Sequence, residues 1–524
     1  MQASAATHEK PHHQFLLPMR ALGSLLVVLV FVPARADVSL PKIVGDNMVL
    51  QRGQVVPIWG RATPGENVTV RFAGQEKHTT AGTNGNWHVH LEPLVASAES
   101  RVMEIAAGNT IQLRNILVGE VWLCSGQSNM ELPAAFNFNP DFPGAQKTDQ
   151  ELTKDANGPG FPTIRLFRVQ KIIQTPDVVS TGWSECQGEA LAKFSAIGYI
   201  FARELQSNLG LPIGMIQSAW GGSRIELWTP REAQTDPWSS EKERPAPPAV
   251  KDRWQTGKYY DGMVRPLVPF AIRGVLWYQG ESNVGDGIGY ADKMEALING
   301  WRMAWQQPEL PFFYVQLAPY AYSQRPRQNG IPRPVTALPE IWEAQRLVTR
   351  IPKTGLVPTI DLADNVHDIH PQLKRPVADR LAKLALSEVY RQTDLVHDGP
   401  VVERVDIQHN GAVAYFRQTG TGLKSRDGQP LTQFEIAGED GKFVPAQAVI
   451  EGSNIVVIKN VLPGRLRVLR FAWNEIAQPN LINSEGWPAY PFRSNAPGWE
   501  QMPPNPTQAS GSSSADIPYN HHPR

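Results

Sequence analysis

The sequence has no excess charge of either sign, with 50 basic residues balanced by 50 acidic ones. That balance argues against a nucleic-acid partner or an anionic membrane surface, because both need a basic face. No apolar run is long enough to span a bilayer. The chain also lacks a Gly-x-Ser-x-Gly elbow, which argues against a lipase of the α/β-hydrolase kind, and it carries no phosphate-binding glycine loop. Cysteine is scarce: Cys124 and Cys186 are the two present. Their spacing does not say whether they meet, and Cys124, at the end of an apolar run, reads as a small buried residue. What remains is the composition of an ordinary folded enzyme, 41% hydrophobic with 15 tryptophans and 12 tyrosines.

Near the start, Arg20 precedes the apolar run Ala21 to Val32 and the small-x-small triplet Ala34-Arg35-Ala36. This is the pattern of a secretory signal over residues 1–36, cut after Ala36, with Met19 a possible true start. It predicts a secreted or periplasmic protein, with no membrane attachment after cleavage and disulfides permitted.

Length then predicts about three domains. From 37 to 115 short alternating runs such as Val68, Val70 and Phe72, and the Asn84-Gly85 turn, predict a small β-domain. His88 and His90 lie two apart on one of these strands, and strand alternation explains them without a metal. From 116 to 393, buried strands alternate with helical segments, as a parallel α/β sheet requires. Among them are Pro212 to Ser218 and Gly274 to Tyr278 as strands, and Phe194 to Leu205 as a helix. Leu373, Val377, Leu381 and Leu384 predict a further amphipathic helix, with Pro376 tolerable only in its first turn. From 394 to 495 the hairpin around Asn410-Gly411 opens a second β-domain. The tail 496–524 is disordered by composition, and the polar, proline-rich stretch between Pro230 and Tyr260 reads as a solvated rim loop.

Chemistry concentrates at three places. Val121-Trp122-Leu123-Cys124-Ser125-Gly126-Gln127-Ser128-Asn129-Met130 reads as a buried strand, a sharp Ser-Gly turn and a helix start, which is where a nucleophilic serine belongs. Trp277-Tyr278-Gln279-Gly280-Glu281-Ser282-Asn283 ends another strand in a polar turn. Asp361 to His370, followed by Pro371 and Lys374, is the densest polar cluster. It supports two readings: His370 as the base for Ser128, or His367 and His370 with two aspartates as a metal site that activates water. Pro371 disfavours the helical geometry that the His-x-x-His pair would need.

Taken together, these blocks resemble the SGNH (GDSL-like) hydrolases, specifically the sialate O-acetylesterase family of carbohydrate esterases. The likeness runs from the DNMVLQR and PIWGRATPGENVTV stretches to WPAYPFRSN. The resemblance implies a three-layer α/β/α catalytic domain with a parallel sheet, flanked by N- and C-terminal β-sandwich-like domains. It implies Ser128 as nucleophile, His370 as base and Asp368 as the acid, with Asp364 the alternative. Gly221, Gly222, Gln279 and Asn283 are the implied oxyanion donors, Gln279 ahead of Asn283. Gln127, Asn129, Glu281 and Arg224 are expected behind these or against substrate. The implied partner is an O-acetylated carbohydrate, sialic acid or a plant polysaccharide, and the implied chemistry needs no cofactor. A secreted carbohydrate-binding protein that has lost activity is the alternative of a different class.

Overall fold

Among the described residues, seven strands line up in the central sheet, and the strand Thr110–Gly126 runs through its middle. The structure, a computed structural model, describes residues 37–233, 256–325 and 332–496. The expected signal segment, most of the polar rim loop and the tail beyond Ala496 lie outside the described residues. The described residues from Asp37 to Ala496 form one compact unit.

On one side of Thr110–Gly126 lies Ile213–Ala219, parallel to it, followed by Phe161–Arg168 and an antiparallel edge strand Trp183–Cys186. On the other side come Gly274–Tyr278, Phe312–Val315 and Thr354–Val357, all parallel. Ile213–Ala219 and Gly274–Tyr278 are buried along their whole length, as expected of strands covered on both faces. Trp122 meets Phe201 of the helix Ala196–Leu209 edge to face, and Trp277 meets Trp301 of the helix Tyr290–Trp305 in the same way. In the parallel register Trp122 aligns with Gly274 and Ser125 with Trp277, so these two tryptophans occupy opposite faces, and helices cover both. Because the chain winds first to one side of Thr110–Gly126 and then to the other, the carboxyl end of this strand is the topological switch point. Open α/β sheets put their sites there.

The boundary expected between residues 115 and 116 falls inside this same strand. Its first part pairs antiparallel with Ser97–Ala106, and its last part enters the parallel sheet. Asn115, in a left-handed conformation at φ 58°, breaks the regular ladder at the junction. The β-region before it shows the alternation read from sequence, clearest in Asn86–Leu91, where every second residue is buried. His88 and His90 both stand exposed on that strand, their rings edge to face.

Elsewhere the elements fall close to expectation. The helix Arg375–Glu388 carries Pro376 in its first turn. Val401–Gln408 and Gly411–Arg417 form the expected hairpin, the start of two four-stranded antiparallel sheets. This region reaches back to the central sheet and the loop after it: Tyr490 donates its hydroxyl to the Leu356 carbonyl at 2.8 Å, and Gln478 donates to Ala363 O at 2.7 Å. Cys124 and Cys186 are both buried and unbridged, and burial pushes the Cys124 thiol up to about 12, so it is inert.

Candidate active site

The turn that carries Ser128 exists because residue 126 is glycine. Gly126 has φ +134°, and a Cβ there would meet the Tyr278 carbonyl oxygen at 2.1 Å. Only a residue without a side chain lets the strand end pass that close. Gln127 then donates its N–H to Tyr278 O at 2.9 Å and Trp220 donates to Gly126 O at 3.0 Å. Both neighbouring strands thus hold the turn through backbone bonds, and Ser128 opens the short helix Ser128–Glu131.

His370 comes to Ser128 from 242 residues away in sequence, its Nε2 lying 2.9 Å from Ser128 Oγ. With the ring proton on Nδ1, the hydroxyl donates to Nε2, as a nucleophile donates to its base. Burial holds the imidazole below its ordinary value, the Lys374 charge adds to this, and the Asp368 carboxylate opposes it. The ring is therefore neutral, and able to take a proton, at neutral pH.

Asp368 lies beside that ring but does not bond it. One carboxylate oxygen, Oδ1, accepts the His370 backbone N–H at 2.9 Å and stands 4.0 Å from Nδ1. The other accepts from Gln372 Nε2 at 2.6 Å. Asp364, the alternative acid, pairs with Lys147 at 2.8 Å on the surface. The His367 backbone N–H is taken by Asn365. Among the described residues, no group of three or more His, Cys, Asp or Glu side chains gathers in a way that could hold a metal ion.

A buried polar relay ties the histidine loop to the Ser128 turn. Asn129 Nδ2 donates to Glu281 Oε1 at 2.6 Å and to the Ile369 carbonyl at 3.1 Å. Its Oδ1 accepts from Lys374 Nζ at 2.7 Å, which also donates to Pro371 O at 2.8 Å. Lys374 is 1% exposed, and burial lowers its amine to about 7 against the pull of Glu281 and Asp368. Burial likewise raises the Glu281 carboxyl. Glu281 and Lys374 thus meet across one asparagine, and the backbone is gripped on both sides of His370, by Asn129 at Ile369 O and by Lys374 at Pro371 O.

The expected oxyanion donors are placed differently from one another. Gln279 is fully buried, and its amide nitrogen lies within hydrogen-bond reach of Asn283 Oδ1 at 2.7 Å, Ser223 O at 3.1 Å and Gln127 Oε1 at 3.2 Å. Tyr290 donates its hydroxyl to Gln279 Oε1. Asn283, also fully buried, donates to Glu226 and Asp286 and accepts from the Ile225 N–H. Both amides knit the wall behind the turn, and Gln127 links that wall to Ser128. Arg224 belongs to the same wall, paired with Glu226 at 2.8 Å and Asp286 at 2.9 Å. Burial would raise the Glu226 carboxyl, but Arg224 and Lys293 overcome it and hold the group at about 2.

Of the glycine pair, Gly221 reaches the serine: a Cβ there would lie 3.3 Å from Ser128 Cβ. The Gly221 N–H, however, donates to Glu131 Oε2 at 2.5 Å. Glu131 was not singled out from sequence, although it directly follows the Gln-Ser-Asn-Met run. In front of these groups opens a cavity of about 330 Å³, lined by Ser128, Glu131, Leu132, Pro133, Arg168 and Lys193.

Comparison with known proteins shows which family the chain resembles. The model of a carbohydrate esterase family, the sialic acid-specific acetylesterases, matches residues 118–387. Human sialate O-acetylesterase is 27% identical over 91% of this chain and 96% of its own, and the mouse enzyme is 27% identical over 87% and 93%. Among solved structures, a carbohydrate acetylesterase from Xanthomonas citri is 32% identical, with a TM-score of 0.76 over 87% of this chain and 99% of its own.

Proposed function

Because the chain belongs to the sialic acid-specific acetylesterase family of carbohydrate esterases, we propose that it removes O-acetyl groups from acetylated sugars through an acetyl-serine intermediate on Ser128. The observation that carries this reading is the 2.9 Å contact between Ser128 Oγ and His370 Nε2 at the switch point of the sheet. We read the catalytic region as the SGNH-type three-layer α/β/α domain over 116–393, with flanking β-domains over 37–115 and 394–495, and residues 1–36 as an export signal.

In the proposed reaction, Ser128 Oγ attacks the acetyl carbonyl while His370 Nε2 takes its proton. The Asp368 carboxylate, 4.0 Å from Nδ1, stabilises the imidazolium by charge. Asp368 and Nδ1 are a pair that can tighten when substrate excludes water, as catalytic hydrogen bonds often do. The tetrahedral oxyanion is held by the N–H groups of Ser128 and Gly222, since Gly221 gives its N–H to Glu131. His370 then protonates the departing sugar oxygen, and acetyl-Ser128 remains. Water attacks this ester with His370 again as base, and acetate leaves. Loss of one oxyanion donor costs about a hundredfold to a thousandfold in rate.

The test is acetate release from 9-O-acetylated sialic acid, from acetylated xylan and xyloglucan fragments and from an aryl acetate, by the wild type and by Ser128→Ala, with and without chelator. The reading expects turnover that Ser128→Ala abolishes and chelator leaves alone, with one glycan preferred. Activity that survives the substitution and dies with chelator would overturn it.

A further inference from the structure

Glu131 sits three residues after Ser128, at the end of the same four-residue helix. Its two carboxylate oxygens are both engaged. Oε2 takes the Gly221 N–H at 2.5 Å and Oε1 takes Lys171 Nζ at 2.6 Å. The contact is a direct brace between the nucleophile's helix and the glycine turn that ends Ile213–Ala219.

The rest of that turn is fixed from its other side. Ser223 Oγ donates to Trp220 O at 2.6 Å, and Trp228 Nε1 donates to Ser223 Oγ at 2.9 Å. Gly222, between the two holds, has φ +72°, a left-handed conformation that glycine adopts without strain. The position of the Gly222 N–H relative to Ser128 therefore depends on how firmly Gly221 is gripped.

A carboxylate near a developing oxyanion raises the energy of that oxyanion unless the charge is offset. Lys171 supplies the offset at Oε1. A carboxylate with both oxygens bonded is poorly suited to binding a sugar hydroxyl, and a glycine N–H already donating at 2.5 Å is not free for the oxyanion. Both facts direct the role of Glu131 towards geometry.

We propose that Glu131 is the positioning residue of the oxyanion hole: by accepting the Gly221 N–H it locks the glycine turn against the Ser128 helix and sets the Gly222 N–H at its working height. The inference rests on the serine reading given above. What matters in it is an acceptor oxygen at the right reach, with the negative charge secondary.

Three substitutions separate reach from charge. Glu131→Ala removes the acceptor, Glu131→Asp keeps the charge but loses reach, and Glu131→Gln keeps reach and acceptor while losing the charge. With an aryl acetate, kcat should fall about tenfold to a hundredfold in the Ala and Asp variants, the scale of a misplaced catalytic group, with KM nearly unchanged. Gln should recover most of that loss. Affinity for phenylboronic acid, whose adduct with a serine places an oxygen in the hole, should fall and recover in the same order. Thermal unfolding of each variant identifies any that fail to fold, and Asp then carries the test in place of Ala.

Unchanged or faster turnover in both Ala and Asp would overturn the inference, and so would a loss that Gln fails to restore, because charge would then be the working property. A wild type that neither turns over aryl acetate nor binds phenylboronic acid would remove the serine reading, and this inference with it. A wild type that does both, beside Glu131 variants that show no pattern, would remove this inference alone.

Discussion

The two loops that meet at the site are held in contrasting ways. The Ser128 turn is fixed by backbone: it leaves a strand in register with neighbours on both sides, and Tyr278 and Gly126 carbonyls close it. The histidine loop lies outside any strand or helix, between Thr354–Val357 and Arg375–Glu388. A backbone bond reaches it from outside, Ala321 N–H to Val366 O at 2.9 Å, and around His370 side chains hold it: Asn129 on Ile369 O, Lys374 on Pro371 O, Asn137 on Gln372 O, with the Arg380–Asp361 pair at 2.7 Å at its start. Backbone ladders fail together, whereas side-chain ties can be cut one by one. Damage to the turn should therefore be all-or-none and damage to the loop graded.

The largest effect is expected from Gly126→Ala. A Cβ 2.1 Å from the Tyr278 carbonyl at φ +134° cannot be absorbed without moving two strands. Activity should vanish, and chemical denaturation should read a loss of about 4 kcal/mol or more, in the range reserved for broken buried geometry. A stable, active variant would show that the turn is not held as described. Next is Asp368→Asn, which keeps the fold but removes the charge beside the imidazole. Its kcat should fall by up to about a thousandfold, the scale of about 4 kcal/mol for an opposite charge about 4 Å away, with thermal stability close to wild type.

Lys374→Met should come third. It leaves Asn129 Oδ1 and Pro371 O without their buried donor, at a cost of about 2 kcal/mol, and lets the histidine loop drift. A drop in kcat of about a hundredfold is expected. If stability falls while kcat holds, the loop does not need this tie.

A smaller effect concerns pH. Since burial and the Lys374 charge lower His370, its imidazole stays unprotonated to a lower pH than a free histidine. The acid limb of kcat/KM should therefore lie below about 6.5, the ordinary histidine value. Asp368→Asn should move it lower still, because Asp368 raises the group. Lys374→Met, by removing a charge that lowers it, should move the limb up. The smallest effect is expected from Asp364→Asn, which removes a surface pair with Lys147 worth about 1 kcal/mol or less. A collapse of kcat there would reassign the acid.

The same contrast governs what the sequence made legible. The strand Gly274–Tyr278, the Ser-Gly turn, the hairpin after 400 and the helix with Pro376 in its first turn follow from local patterns of apolar and turn residues. Those patterns also put Gln279 and Asn283 at a strand end. They do not say which way an amide points, and the structure turns both into the wall behind Gln127. The family resemblance points to Asp368, two residues before His370, yet its carboxylate bonds the backbone N–H instead of the ring. Lys374 stood in the motif without a role, because its partner Asn129 lies 245 residues away. Glu131 left no periodic signal at all: its meaning depends on a glycine 90 residues later. A boundary placed at residue 115 met a left-handed asparagine inside a continuous strand, since one strand can serve two sheets.

The central claim is acyl transfer through Ser128. The most direct test is rapid acid quench of the wild type turning over an aryl acetate, with mass spectrometry of the peptide that contains residue 128. The account predicts an acetyl group on Ser128, formed in a burst and lost at the steady-state rate, and no acetylated peptide from Ser128→Ala. Steady turnover with no acetyl on Ser128, or with full activity in the alanine variant, would contradict it.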